Sequence, residues 1–558
     1  MYLGLVPLVL NLLPTVEALR TSLPIRELRK QIRTDDQLKS RDVDLSALYP
    51  AYNLTVPIDH FHNDSLYEPH SNGTFNLRYW FDASHYKKGG PVLLLESGET
   101  SGTDRLPFLQ KGIIAQLAKA TGGIGVILEH RYYGTSFPPV PDLSTQSLRF
   151  LTTDQALADT AYFAKNVVFE GLEDQDLTAP NAPWIAYGGS YAGSFVAFLR
   201  KLYPDVYWGA ISSSGVTEAI YDYWEYFEAH RIYGPQDCIK TTQKLVNVVD
   251  NILIGKKDTD YPQQLKDAFG VGNISQDADF ASLLATGITY WQNRNWDPAQ
   301  DDPTFYEFCG NLTSDDALYS PTQDLKSTAQ DLIKVGGYGK EVESLTNHLL
   351  NYIGYVNVTQ ISRCDTKKTQ DQCFSNLDTT FYAKDDINQT WRSWPYQYCT
   401  QWGYLQTGSG VPADILPLVS RLVDLEYAST VCRYAFNITT PSDVEAINKY
   451  GGFGISYPRL ALIDGEVDPW RQASSHAFAA PNRTSTDSEP FILISGAVHH
   501  WDENGLFPNE TTATLPPKAV AEAQKAEERF VRKWMQEWQQ QQGRAERERE
   551  RQQQVRLQ

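Results

Sequence analysis

The chain has 558 residues, and its 49 basic side chains against 68 acidic ones leave a formal charge of −19 at pH 7. That balance argues against a nucleic-acid binder, which must present a cationic face to phosphate, and disfavours docking on an anionic membrane. With 41% apolar and 12% aromatic residues the chain can build a large packed core, and its length suits two folding units or one large domain with an insertion.

The first 18 residues read as a secretory signal peptide. An apolar stretch from Tyr2 to Leu13 precedes Val16-Glu17-Ala18, small residues at signal-peptidase spacing, although no Lys or Arg stands before it. Pro7, Asn11 and Pro14 interrupt a run already shorter than the roughly 20 residues a spanning helix needs, so no stable membrane anchor is expected. Residues 19–48 are polar and basic and read as a propeptide or flexible arm.

From about residue 75 short apolar runs alternate with helical patterns. Pro91–Glu96 reads as a buried strand entering the Gly-rich loop Ser97–Gly102, and 107–120 as a helix. Gly125–Glu129 is a second strand, 150–168 a helix, Trp184–Tyr187 a third strand, 192–203 a helix and Gly209–Ser212 a fourth strand end. This alternation predicts an α/β fold with a parallel sheet covered on both faces. The pattern breaks over 217–450, an aromatic-rich, mainly helical stretch that reads as an insertion into a core spanning 49–216 and 451–540. Strands resume at Leu460–Ile463 and Phe491–Ile494, and an amphipathic helix at 517–539 closes the core. The Arg/Gln-rich tail, 541–558, reads as disordered or a frayed helix.

All six cysteines, Cys238, Cys309, Cys364, Cys373, Cys399 and Cys432, fall inside the insertion. The number is even and no pair has CxxC spacing, so disulfides are expected and neither a metal nor a cofactor is. Pairing between sequence neighbours is favoured, because Cys364–Cys373 closes a short loop. Ten N-x-S/T sequons, at Asn53, Asn63, Asn72, Asn273, Asn311, Asn357, Asn388, Asn437, Asn482 and Asn509, suggest a glycosylated secretory protein.

The chemistry concentrates in Gly188-Gly189-Ser190-Tyr191-Ala192-Gly193, between a buried strand and a helix. So tight a turn needs small neighbours and exposes the Ser190 hydroxyl at the sheet's C-terminal edge, the nucleophile elbow of acyl-transfer enzymes, here with Ala192 where the strict motif has Gly. An elbow requires an acid and then a histidine further along the chain. Asp464 and Asp468 follow one late strand, and His499 and His500 follow the next. Asp468 is favoured because it lies further into its loop, before the Pro469 turn, whereas the pattern does not choose between the histidines. An oxyanion hole would take the amide of Tyr191 and one from Gly98 or Glu99. Trp470 and Trp501, with Tyr191, are candidate walls of a substrate pocket.

LEHRYYGTS (128–136), RFLTTDQALAD (149–159), GGSYAGS (188–194), DGEVDPW (464–470) and AVHHWDE (497–503) resemble the prolyl-specific serine peptidase family of Pro-X carboxypeptidase, dipeptidyl peptidase II and the fungal acid prolyl endoproteases. The likeness runs from about 50 to 540. It implies an α/β-hydrolase fold with a large, mainly helical cap inserted after the nucleophile elbow. It implies hydrolysis after proline at acidic pH, with Ser190 as nucleophile, Asp468 as acid and His499, the first of the pair, as base. WPYQYCTQWGY (394–404) resembles the family's cap segment and implies pairing of Cys399 with Cys432. Expected partners are proline-containing peptides, the expected setting is extracellular or vacuolar/lysosomal, and the expected state is monomer or homodimer. A classical serine carboxypeptidase, which places an acid before the serine where this chain has Gly189, an esterase, and a non-catalytic binding protein of the same fold are the competing readings.

Overall fold

In a computed structural model, residues 45–556 are described. The expected signal peptide lies outside them, as does all but the end of the expected arm at 19–48. Eight strands form one sheet: β1 (Tyr52–Pro57), β2 (Thr74–Asp82), β3 (Val92–Glu96), β4 (Ile124–Leu128), β5 (Trp184–Gly189), β6 (Gly209–Ser213), β9 (Leu460–Gly465) and β10 (Phe491–Ile494), in the order β1-β2-β4-β3-β5-β6-β9-β10. A two-stranded ribbon, β7 (Ile220–Asp222) with β8 (Gly403–Leu405), lies in the insertion.

From β4 to β10 every neighbouring pair is parallel. β3 and β4 are buried along their whole length, which is why they read as unbroken apolar runs. The pairs β1–β2 and β2–β4 are antiparallel, and the sequence reading placed no strand at β1 or β2. Phe75, Leu77 and Tyr79 of β2 are buried between exposed Thr74 and Asn76, a period of two that belongs to an edge with one wet face. This strand order is that of the α/β-hydrolase fold.

Side chains alternate along the inner strands into two apolar clusters. Leu93, Leu95, Ile185 and Ile463 join Ile113, Leu117, Phe530 and Trp534 on one face. Leu94, Ala186 and Leu462 join Phe195 and Phe198 on the other, and that cluster runs without interruption into Leu245, Leu349 and Trp402 of the insertion. The cap therefore shares its core with the sheet. Helices Gln236–Leu253 and Val342–Thr359 are its longest elements, and its disulfides Cys238–Cys309, Cys364–Cys373 and Cys399–Cys432 join sequence neighbours.

Two helices differ from expectation. The one read at 107–120 is two, Leu106–Gln110 and Ile113–Thr121. They break at Gly112, where a Cβ would meet the Glu503 carbonyl at 2.7 Å and where the Ile113 amide bonds that same carbonyl. The last helix runs unbroken from Lys518 to Arg556 and takes in residues 541–556 of the tail read as disordered or a frayed helix. Glu, Arg and Gln are strong helix formers, and Arg/Glu pairs at helical spacing add support without an apolar face. Among the described residues no helix is long and apolar enough to cross a membrane.

Candidate active site

Ser190 sits between β5 and helix Tyr191–Leu202 with φ 62° and ψ −126°, a conformation strained for a residue bearing a Cβ. Small neighbours make room for it. A Cβ on Gly188 would lie 2.2 Å from the Ala192 carbonyl, and one on Gly193 would lie 2.8 Å from the Ser213 carbonyl of β6. Glycine is thus required at 193, one residue past Ala192, which stands where the strict motif has glycine.

The loops after β9 and β10 converge on Ser190. His499 Nε2 is 2.7 Å from Ser190 Oγ, and His499 Nδ1 is 2.7 Å from Asp468 Oδ2. The other Asp468 oxygen accepts the Trp470 amide at 2.8 Å, which orients the carboxylate. Ser190, Asp468 and His499 are all buried. Burial lowers the His499 pKa despite the opposing pull of Asp468, so the imidazole stays neutral further into acid than a free one. The competing residues lie elsewhere. Asp464 Oδ2 bonds His476 Nδ1 at 2.6 Å. His500 turns away through a backbone φ of 37°, donates its amide to Ser214 Oγ, and places Nδ1 2.9 Å from Glu503 Oε2.

Gly98, at φ +70°, brings the loop after β3 against the first turn of the Ser190 helix, where its Cβ would lie 3.3 Å from that of Ala192. Gly98, Glu99 and the start of the helix at Tyr191 thus meet beside Ser190. The Tyr191 side chain points into the protein: its hydroxyl accepts from Gln397 Nε2 at 2.9 Å and lies 3.0 Å from His130 Nε2. Tyr133 donates its hydroxyl to Gln397 Oε1. This buried chain links cap to elbow. Sequence reasoning assigned Gln397 and His130 no role, though both stand inside quoted family segments.

Trp470 is a correction. It is wholly buried, donates its indole N–H to Gln292 Oε1 at 2.8 Å and stacks on Tyr223 at 5.2 Å. A pocket wall must leave a ring face open, so Trp470 packs the Asp468 loop against the cap instead. Trp501 is partly exposed and donates to the Arg294 carbonyl. Eight of the sequon asparagines are exposed, but Asn311 and Asn357 lie in helices with their amides bonded internally, to Glu307 and Tyr319 and to Ile353 and Phe269 respectively. The one group among the described residues that could hold a metal ion, Asp59, His62 and His70, lies on the β1–β2 connection and includes none of these residues.

The family model of serine carboxypeptidase S28 matches residues 57–519. The chain is 55% identical to a "Probable extracellular serine carboxypeptidase" of Arthroderma benhamiae, over 94% of this chain and 73% of that one. It is 29% identical to the "Serine protease vicPa" of Bipolaris victoriae, over 77% and 81%. Among solved structures, a proline iminopeptidase of Mycobacterium smegmatis aligns over 87% of this chain and 99% of that one, with 10% identity and a TM-score of 0.31.

Proposed function

The chain belongs to the serine carboxypeptidase S28 family, and from that premise we propose that it is a secreted serine peptidase hydrolysing peptide bonds after proline at acidic pH, with Ser190, His499 and Asp468 as its catalytic triad. The observation that carries this reading is the pair of 2.7 Å contacts running from Ser190 Oγ through His499 to Asp468 at a strained strand-to-helix turn.

His499 Nε2 takes the hydroxyl proton as Ser190 Oγ attacks the substrate carbonyl carbon. The amide of Tyr191 and one from the Gly98–Glu99 loop receive the developing oxyanion. His499 then hands the proton to the leaving amine, and water releases the acyl group by the reverse sequence. Asp468 fixes the Nδ1–H tautomer and balances the imidazolium charge. The lowered His499 pKa supports work in acid, because the base must be neutral to act.

Preference for proline is supported by the motif resemblance and by the low entropy cost of holding a ring of fixed φ. Secretion is supported by three disulfides, eight exposed sequons and the extracellular relative. A fluorophosphonate probe should label the protein but not the Ser190→Ala variant, and equal labelling of both would refute the nucleophile. A panel of proline peptides blocked at the N-terminus, the C-terminus, both or neither then reads specificity. Cleavage after Pro is expected, cutting of the doubly blocked peptide would mean an endopeptidase, and cleavage only at other residues would sink the proline assignment.

A further inference from the structure

The connection between β1 and β2 brings together two histidines and a buried carboxylate. Asp59 is 1% exposed. Its Oδ1 accepts from the Phe61 amide and from Gln155 Nε2, both at 2.8 Å, which leaves Oδ2 facing His70 Nδ1 at 2.8 Å. The His62 ring lies beside that of His70, centroids 5.5 Å apart. One ligand atom from each of Asp59, His62 and His70 falls within 4.8 Å of the others.

Of the three groups, Asp59 is held from behind by Gln155, as metal-binding carboxylates are held by outer partners. Gln155 Oε1 accepts the His60 amide, so its Nε2 must face Asp59. Asp159, ion-paired to Arg131, holds His60 Nε2 at 2.7 Å. His62 is exposed and His70 partly so, which leaves one side of the group open to water.

We propose that Asp59, His62 and His70 form a binding site for one divalent cation of the zinc class, independent of the hydrolytic site. Two imidazoles and one carboxylate suit Zn²⁺, Co²⁺, Ni²⁺ or Cu²⁺ and discriminate against Ca²⁺ and Mg²⁺, which take oxygen ligands. A cation there would lie between Asp59 Oδ2 and the His70 ring, with water completing its shell. It would tie the β1–β2 connection to helix Thr153–Asn166 through Gln155, and stabilise the fold by mass action.

The test uses the full secreted protein, stripped with chelator and titrated at pH 7.5 with Zn²⁺, and separately with Ca²⁺, by calorimetry and thermal melting. The expected result is one equivalent of Zn²⁺ taken up with a rise in Tm, and no comparable response to Ca²⁺. His62→Ala, at an exposed position, and His70→Ala should each weaken Zn²⁺ binding at least tenfold. Absence of stoichiometric uptake would overturn the site, as would uptake unchanged in both variants or Ca²⁺ binding as tightly as Zn²⁺. The wild-type titration decides the matter even where a variant fails to fold.

Discussion

Residues 499–503 serve two regions on opposite sides of the elbow, and the two treat buried charge differently. In front of Ser190, His499 and Asp468 form a hydrogen-bonded chain of one imidazole and one carboxylate. Behind it, three carboxyls crowd together. A Cβ on Gly189 would touch Glu503 Oε1 at 2.8 Å. Asp502 accepts from Tyr187 and Ser213 at 2.6 Å each, and both carboxylate oxygens of the buried Glu527, from the last helix, find no hydrogen-bond partner among the described residues. Burial pushes Asp502 up to about 6 and Glu527 well above the usual carboxyl range, each helped by its acidic neighbours. His500, whose burial alone would lower it, is raised by Glu503, which is in turn held low by His500 despite its own burial. In the proposed mechanism the front region moves a proton, whereas in the rear, burial favours the protonated forms of Asp502 and Glu527, and His500 holds Glu503 low.

The sharpest break in this comparison is chemical. Ser190→Ala and Asp468→Asn should each cut kcat on a proline peptide by about 10⁴-fold or more. His499→Gln should do the same, while His500→Gln keeps measurable turnover. Equal loss in the two histidine variants would erase the distinction between front and rear.

Next in size is acid stability. A carboxyl whose folded pKa is raised stabilises the fold below its unfolded pKa, and that stabilisation is lost as pH rises through the folded value. For Asp502 the window runs from about 4 to about 6 and is worth on the order of 3 kcal/mol; for Glu527 it opens near 4.3 and extends higher. Alone, these two carboxyls would make the melting temperature fall between pH 4 and 7, whereas buried His130 and His230, held down to about 4 and about 3, weaken the fold as pH drops below about 6.5, so the carboxyl contribution is read as the difference between wild type and variant. Glu527→Gln, neutral at every pH, should match the wild type at pH 4 and exceed it at pH 7, and an unchanged slope in that variant would show the rear carboxyls to be ionised. The His500–Glu503 pair opposes this only at the acid end, because its lowered Glu503 loses its contribution as pH falls through the folded pKa.

Gln397→Leu strips Tyr191 and Tyr133 of their shared partner, and should cost about 1–3 kcal/mol by chemical denaturation. Smallest is truncation after Gln540, which removes an exposed helix end and should leave Tm and turnover unchanged.

The front region was largely legible in the sequence, because its constraints are local. A strand-to-helix turn demands small residues around Ser190, and chain order puts acid and base on the next two strand ends. What chose Asp468 over Asp464 in space was His476, twelve residues beyond Asp464, and what turned His500 away was one residue of positive φ. The rear region was invisible, since Glu527 meets Asp502 and Glu503 only once the last helix has docked. Trp470 read as a pocket wall because pattern cannot tell an aromatic in a cleft from one beneath it. The antiparallel edge escaped because β1 and β2 are half-exposed and separated by a long connection.

The last helix carries a further consequence. Past Trp538 its described side chains are exposed or partly exposed, and about 18 residues at roughly 1.5 Å each extend it some 27 Å. A globule with such a rod diffuses more slowly than a sphere of equal mass, so whichever of monomer or homodimer forms should elute from a sizing column ahead of its molecular weight. Sedimentation or light scattering should return the lower mass, and the gap between the two readings should narrow on truncation after Gln540.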